Sequence, residues 1–419
     1  MPYDAVIIGA GVAGLACARV LAEHRLSCTI LERSTRPGGR IKSDLVGGFR
    51  LDHGFQVLQT GYPGLSTYLD LDALKLHRFP AGIIVRCQQR FQVIADPRHH
   101  PRHLLSTAVS PVGTLGDRLR LSKLAVRICR RPMEDIFDEP EEKAIDFLRG
   151  QGFSERFITS FFTPFLAGAC LDRTMTVTSR VLKYLIRLFA SGDAALPENG
   201  MQAVPHQLAA KLAPDTIQYD KEVAELKNGA IVLTGGEVIE APLVIVATQQ
   251  PAVEELVKID GQKRSVGETC LYFGTQWKPP FREPFLVLNG EGDGPINNVA
   301  FPSMVAPSYA PDGKTLIAVV VLEEDYLARE DLEDLVREQC QQWFGRAVKE
   351  WQHLKTYRIE QALPDQSPPT LSPYRSPEPF SPGLHICGEA QGLPGLGWAL
   401  MSGVATGRNV SEILLKNRA

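Results

Sequence analysis

Residues Gly9-Ala10-Gly11-Val12-Ala13-Gly14 constrain this chain more than any others, because of what flanks them. Before them lies a short apolar run, Ala5–Val6–Ile7–Ile8, and after them Val12 to Glu23 carries helical spacing. A G-x-G-x-x-G in that setting is a turn from strand to helix. Its first glycine makes the turn, its second lets backbone approach a pyrophosphate, and its third lets helix and strand pack closely. The β-branched run Ser27–Cys28–Thr29–Ile30–Leu31 supplies a second strand. Together these form one βαβ unit, whose strands must run parallel with a right-handed crossover. The N–H groups and dipole at the helix start then favour an anion.

Glu32 ends the second strand, where a carboxylate can accept hydrogen bonds from both ribose hydroxyls of an adenosine. The same charge repels a 2′-phosphate, which disfavours NADP. Next comes Arg36-Pro37-Gly38-Gly39-Arg40, a glycine-rich turn ending in a cation with an obvious diphosphate partner.

With these residues in place, the sequence resembles the flavin-containing amine oxidase and phytoene desaturase superfamily. Gly9, Gly11, Gly14, Glu32, Arg33, Gly38, Gly39 and Arg40 match its FAD-binding motifs one for one. Leu51-Asp52-His53-Gly54-Phe55-Gln56 is similar to the family segment that passes the flavin ring. Leu196-Pro197-Glu198-Asn199-Gly200-Met201 is similar to the stretch that re-enters the FAD domain. Val223 sits where the family places an adenine-contacting residue, and Ala241 to Thr248 looks like its middle strand. Cys387-Gly388-Glu389 and Gly395-Leu396-Gly397-Trp398-Ala399-Leu400-Met401-Ser402-Gly403 resemble the closing flavin motif, with Trp398 in place of the usual glycine.

The resemblance implies an α/β fold: a Rossmann-type FAD-binding domain with a mixed sheet (GR2-like) and an inserted α+β substrate domain. The FAD domain is expected over 1–60, 196–250 and 383–419, and the substrate domain over 61–195 and 251–382. It implies FAD held non-covalently by Gly9, Gly11, Val12, Ala13, Gly14, Glu32, Arg33, Gly38, Gly39, Arg40, Gly54, Phe55, Val223, Gly388, Glu389, Leu396 and Trp398. Non-covalent binding is expected because no cysteine lies between Pro364 and Pro382, where cysteinyl flavins of the family attach. A helix opening near Leu396 would stabilise negative charge at the flavin pyrimidine edge.

Elsewhere, Arg40 to Leu58 reads as a hairpin around Gly47–Gly48, and Ile83–Arg86 with Phe91–Ile94 as another. From Gly61 to Leu196 the pattern is helical. Strand signals return from Thr216 to Val246, with turns at Asn228–Gly229 and Gly235–Gly236, and again from Val266 to Val321. Glu330 to Phe344 is a helix with Leu332, Leu335, Val336, Cys340, Trp343 and Phe344 on one face. Pro364 to Pro382 is an extended connection, followed by a strand over Leu384–Cys387 and a helix from Leu396 to Leu415.

Which reaction the flavin serves is less constrained. Gly290-Glu291-Gly292-Asp293-Gly294 has Pro295 at the third-glycine position and reads as a hairpin loop, so no second nucleotide site is indicated. Reduced flavin would then pass electrons to oxygen or a quinone. Amine oxidases of the superfamily carry a lysine near flavin N5, and the matching stretch, Ser265 to Phe273, offers Glu268 instead. Gly395 stands where their aromatic cage residue would be. What remains suits a large hydrophobic substrate, with isoprenoids among the candidates. Phe153, Phe157, Phe161, Phe162, Phe165, Leu166, Leu182, Leu185, Ile186 and Leu188 provide either core packing between helices or a tunnel wall. His53 reads as a structural histidine or a base, and no catalytic residue is singled out. The leading expectation is a dehydrogenase, desaturase or isomerase. An amine or protoporphyrinogen oxidase is the alternative, and a non-catalytic flavin-binding scaffold or redox sensor is another.

A net charge of −3 gives no field to attract nucleic acid. The eight cysteines show no C-x-x-C pairing, so no metal site is expected, and they suit buried positions in a reducing compartment. No stretch is apolar enough to span a bilayer, and the chain is expected to be cytoplasmic. Arg98 to Arg131 is basic and Glu134 to Glu142 acidic. They form either two solvated faces that pair, or a basic flap that makes peripheral membrane contact.

Overall fold

The computed structural model describes residues 3–96, 99–227, 229–259, 264–322, 324–327 and 329–418. Arg98 of the basic stretch and Asn228 of the Asn228–Gly229 turn lie outside the described residues.

Strand Ala5–Ile8 is buried along its whole length because it pairs in parallel on both sides, with Cys28–Leu31 and with Val244–Val246. Ile217–Gln218 and Leu384–Ile386 extend the sheet to its two edges, and all five strands run parallel. Parallel strands covered on both faces read as continuous apolar runs, which explains the Ala-Val-Ile-Ile and Val-Ile-Val segments. The first helix, Val12–Glu23, lies against the closing helix, Leu396–Arg418. Two glycines set how closely they approach. A β-carbon at Gly403 would stand 2.1 Å from Ala13 O, and one at Gly407 would stand 3.0 Å from Cys17 O.

A second, seven-stranded sheet is mixed. Ser265–Thr275 is its long member, flanked antiparallel by Gln352–Pro364 and Thr315–Val321. The order continues through Ile296–Ala300 and Leu286–Asn289 to the hairpin Gly82–Cys87/Arg90–Ala95, where Leu286–Asn289 pairs parallel with Gly82–Cys87. Helix Leu332–Phe344 packs Leu332, Val336, Cys340 and Trp343 into the same core as Phe273, Ile317 and Val319. Residues 289–295 do form the turn between two antiparallel strands.

Between residues 104 and 191 the chain is helical, and its core holds Phe157, Phe162, Leu166, Leu182 and Leu188 with almost no exposed surface. Core packing therefore accounts for most of the aromatic-rich stretch. Phe161 and Phe165 are partly buried and continue a stack of near-parallel rings from Phe157, ending edge-on at exposed Phe189. Six of the cysteines are buried, Cys28 is partly covered and Cys129 is exposed; all are free thiols. No helix is long and apolar enough to cross a membrane among the described residues.

Candidate functional site

The glycine-rich turn is built tightly. Gly9 adopts φ +105°, a region that L side chains rarely enter, and a β-carbon at Gly14 would stand 2.0 Å from Gly9 O. Gly11 differs, since a β-carbon there meets nothing within 4 Å. The space above the second glycine is open, as a closely approaching ligand requires. Among the described residues no side chain caps the helix that begins at Val12, which leaves its first N–H groups for an anion. Gly38 N donates to Ala10 O, and a β-carbon at Gly39 would come within 3.6 Å of Gly11 Cα. The two glycine-rich loops thus face each other across one cradle.

Glu32 is buried at the end of its strand. Its carboxylate accepts from Ala10 N at 2.7 Å, from Ser34 N at 2.9 Å and from Ser34 Oγ at 2.7 Å. It therefore also braces the turn, a role the sequence does not show. Lys221 N donates to Glu32 O and Asp220 N to Ser34 O, which lays the segment leading to Val223 beside Glu32. Arg33 is exposed.

Arg40 and Glu389 are 349 residues apart in sequence and meet at 2.5 Å, and Arg40 also donates to Ala362 O. Glu389 is nearly buried and accepts further from Gln250 N at 3.3 Å. Gly388 N donates to Ser402 Oγ at 2.9 Å, and a β-carbon at Gly388 would stand 3.5 Å from Ala13 Cβ. The closing motif is thereby brought onto the opening one. A cavity of about 270 Å³ lies beside them, bounded by Gly388, Gly392 and Ser402 and by Trp398, Met401 and Phe380. Leu396 starts the closing helix, while Trp398 packs on Phe137, Tyr184 and Tyr374 and its Nε1 has no partner among the described residues. Trp398 is thus the joint between this helix and the helical region. Gly395 lacks an aromatic side chain, yet the ring of Tyr62 stands against Gly395 and Gly397.

The segment after the first hairpin closes the arrangement. Gln56 Nε2 donates to Arg40 O at 3.1 Å and to His53 O at 2.9 Å, and Tyr272 OH donates to Gly54 O at 2.9 Å. Phe55 meets Phe79 edge-on. The imidazole of His53 lies 3.1 Å from Asp44 and packs at a tilt against Tyr357, which suits a structural role. Burial would raise Asp44, but hydrogen bonds from Lys355, Arg36, Tyr357 and His53 hold it well below the usual carboxylate range. Asp52 is buried among Ser43, Met201 N and Tyr309 and is pushed up to about 6 by burial, its hydrogen bonds offsetting only part of that.

Glu268 points at this segment. A β-carbon at Gly54 would fall 2.0 Å from Glu268 Oε1 and 3.0 Å from Ile359 Cδ1. The carboxyl is buried with Cys270 and Tyr272 on the same strand face, and burial alone pushes it up to about 8. It is protonated at neutral pH in these surroundings. A buried, strongly perturbed acid beside a cofactor-binding segment is a candidate for proton transfer.

These groups fit a flavin dinucleotide. An uncapped helix start and Arg40 suit a diphosphate, and Glu32 suits a ribose. The segment 53–56 and the closing helix start suit a flat ring. Among the described residues no three His, Cys, Asp or Glu side chains gather as a metal site.

The family described as flavin containing amine oxidoreductase matches residues 12–415. A phytoene dehydrogenase from Streptomyces griseus is 25% identical over 374 residues, which is 75% of this chain and 72% of that protein. Protoporphyrinogen oxidase 2 of Arabidopsis thaliana is 22% identical over 165 residues, 39% of this chain and 31% of that protein. Cyclohexylamine oxidase from Brevibacterium oxydans superposes with a TM-score of 0.74 at 14% identity over 99% of this chain and all of that one, which shows a shared fold.

Proposed function

Because the chain belongs to the flavin containing amine oxidoreductase family and is an FAD-dependent oxidoreductase, we propose that it desaturates a hydrophobic, isoprenoid-like substrate. The observation that carries this reading is Glu268. Where an amine oxidase would place a lysine, this chain places an acid in an apolar setting. When bound, FAD supplies the acceptor for a hydride leaving a substrate C–H bond.

The chain's own residues do the rest. Gly9, Gly11, Val12, Ala13, Gly14, Gly38 and Gly39 hold the diphosphate, with Arg40 as its cation. Glu32 and Val223 hold the adenosine. Gly54, Phe55, Gly388, Glu389, Leu396 and Trp398 border the ring end. Glu268, once ionised, takes the proton from the carbon next to the one that lost hydride, and the electrons of that C–H bond form the new double bond. A base whose pKa lies near 8 is strong enough for this and is ionised in an accessible pH range. The apolar surroundings of Ile359 and Cys270 keep water from competing.

The test is anaerobic mixing of the oxidised holoenzyme with acyclic isoprenoid hydrocarbons. The flavin band should bleach, and the product should gain a conjugated double bond. Glu268→Gln should slow bleaching and remove the rise in rate through about pH 8. Bleaching by porphyrinogens or amines, with none by any apolar hydrocarbon, would overturn the proposal. Porphyrinogen oxidation is the second reading, favoured by the similarity to protoporphyrinogen oxidase 2.

A further inference from the structure

Helix Leu104–Val109 buries none of its side chains. Leu104, Leu105 and Val109 on it, and Leu115, Leu119 and Val126 on the helix Leu115–Cys129, are between 49% and 74% exposed. Six of the fifteen large hydrophobic side chains exposed among the described residues thus fall within one short stretch of chain. Scattered singly they would need no explanation, but a cluster marks an interface.

The second helix has two apolar faces. Leu124 and Ile128 are packed inward, with Leu121 beside them. Leu115, Leu119 and Val126, at i, i+4 and i+11, form an outward stripe with Ser122 and Cys129. Arg120, Lys123, Arg127 and Arg130 are exposed along one side of it. Arg118 fixes the two helices together by donating to Ala108 O at 3.1 Å and Ser110 O at 2.8 Å. A capping box of Thr114 and Asp117 fixes the start of the second.

Charge identifies the occupant. Residues 101–131 carry seven arginines and lysines against one acid, on a chain whose net charge is −3. That acid, Asp117, is buried, hydrogen-bonded to Thr114 and Ser154 and 3.9 Å from Arg120, so among the exposed cations of this face it pairs with Arg120 and not with Lys123, Arg127 or Arg130. The acidic run that follows neutralises only the end of the helix. Glu139 pairs with Arg131 but also with Lys183, and Glu141 lies by Arg180. A second copy docking through this same face would set like charges against each other. A surface offering both apolar depth and negative charge satisfies every feature of the face.

We propose that the face made by helices Leu104–Val109 and Leu115–Cys129 docks on an anionic lipid bilayer. The apolar stripe enters the acyl boundary while the flanking cations meet the headgroups. Docking of this kind is peripheral and reversible.

The test is sedimentation of the holoenzyme with vesicles of mixed phosphatidylglycerol and phosphatidylcholine, against vesicles of phosphatidylcholine alone. The protein should pellet with the anionic vesicles and be released by high salt. Leu105→Glu with Leu119→Glu, and separately Lys123→Glu with Arg130→Glu, should each weaken binding at least about tenfold. All four positions are exposed, so flavin content and melting temperature should hold. A reading without substitutions comes from Cys129, the exposed cysteine at the end of the stripe. A polarity-sensitive dye on Cys129 should shift to the blue when anionic vesicles are added. Failure of the wild type to bind anionic vesicles, an unshifted dye, unweakened binding by the variants, or a dimer that both variants dissolve would overturn the proposal.

Discussion

Glu268 makes a quantitative demand on the stability of the protein. Its carboxyl is pushed up to about 8 in the folded state by burial, from an ordinary value of 4.5. A raised carboxyl pKa means that the folded state holds the proton more tightly than the unfolded chain does. The resulting stabilisation is fully present below the unfolded value. It falls as pH rises toward the folded value and is gone above it. At about 1.36 kcal/mol per pH unit, the loss between about pH 5 and about pH 8 is roughly 4 kcal/mol. Glu268→Gln keeps the shape of the side chain and removes the titration. The constant cost of placing an amide in this site cancels when each protein is compared with itself at two pH values. Guanidinium unfolding of both proteins, saturated with FAD, should therefore show the wild type losing roughly 4 kcal/mol more than the variant over that range. Parallel pH curves for the two proteins would refute the burial argument, and with it the assignment of Glu268 as a strong internal base.

Other substitutions test other parts. Glu32→Ala removes the acceptor for Ala10 N and Ser34 N; it should cost about 2 kcal/mol and sharply weaken FAD binding measured by flavin fluorescence. Gly403→Val should leave little flavin-containing protein after purification, because its β-carbon would stand 2.1 Å from Ala13 O, whereas an exposed control such as Gly150→Val, where a β-carbon meets nothing within 4 Å, should cost far less. Thr114→Ala breaks the capping box and should lower stability by about 1 kcal/mol in thermal unfolding. Burial would raise Asp117, but hydrogen bonds from Ser154 and Thr114 outweigh it and hold it down at about 2; its stabilisation is present above the ordinary value of 3.8 and lost as pH falls toward 2, so Asp117→Asn should flatten acid unfolding there. Denaturation followed by filtration should release all of the FAD, as expected of a cofactor without a covalent link.

Much of the architecture is legible from local pattern. The first helix spans Val12–Glu23 as its spacing indicates, and the hairpin at Gly47–Gly48 pairs Ser43–Val46 with Phe49–Asp52. Both rest on signals contained within a few residues. The strand Gln352–Pro364 is harder to read. It is an edge strand of mixed burial with Lys355, Arg358 and Glu360 along it, so neither alternation nor an apolar run announces it. The same division holds at the site. Residues placed by a motif, such as Gly11 and Glu32, can be named in advance as candidates. The pairing of Arg40 with Glu389, the approach of Tyr62 to Gly395 and the facing of Glu268 with Gly54 depend on which distant segments meet. No local spacing encodes those meetings. The aromatic stretch around Phe157 shows the converse limit, since a wall and a core have the same composition.

The five-stranded sheet has a consequence for how the protein comes into being. Its edge strand Leu384–Ile386 and the helix covering its first crossover come from the last tenth of the chain, yet they pair with strands made at the start and middle. A ribosome must have released the chain through the helix Leu396–Arg418 before that layer can close. Until then the glycine-rich turn lacks Gly388, Glu389 and the helix behind it. Cofactor loading should therefore wait until the closing helix has been made, and truncation of that helix should leave an apoprotein that chaperones and proteases treat as unfinished.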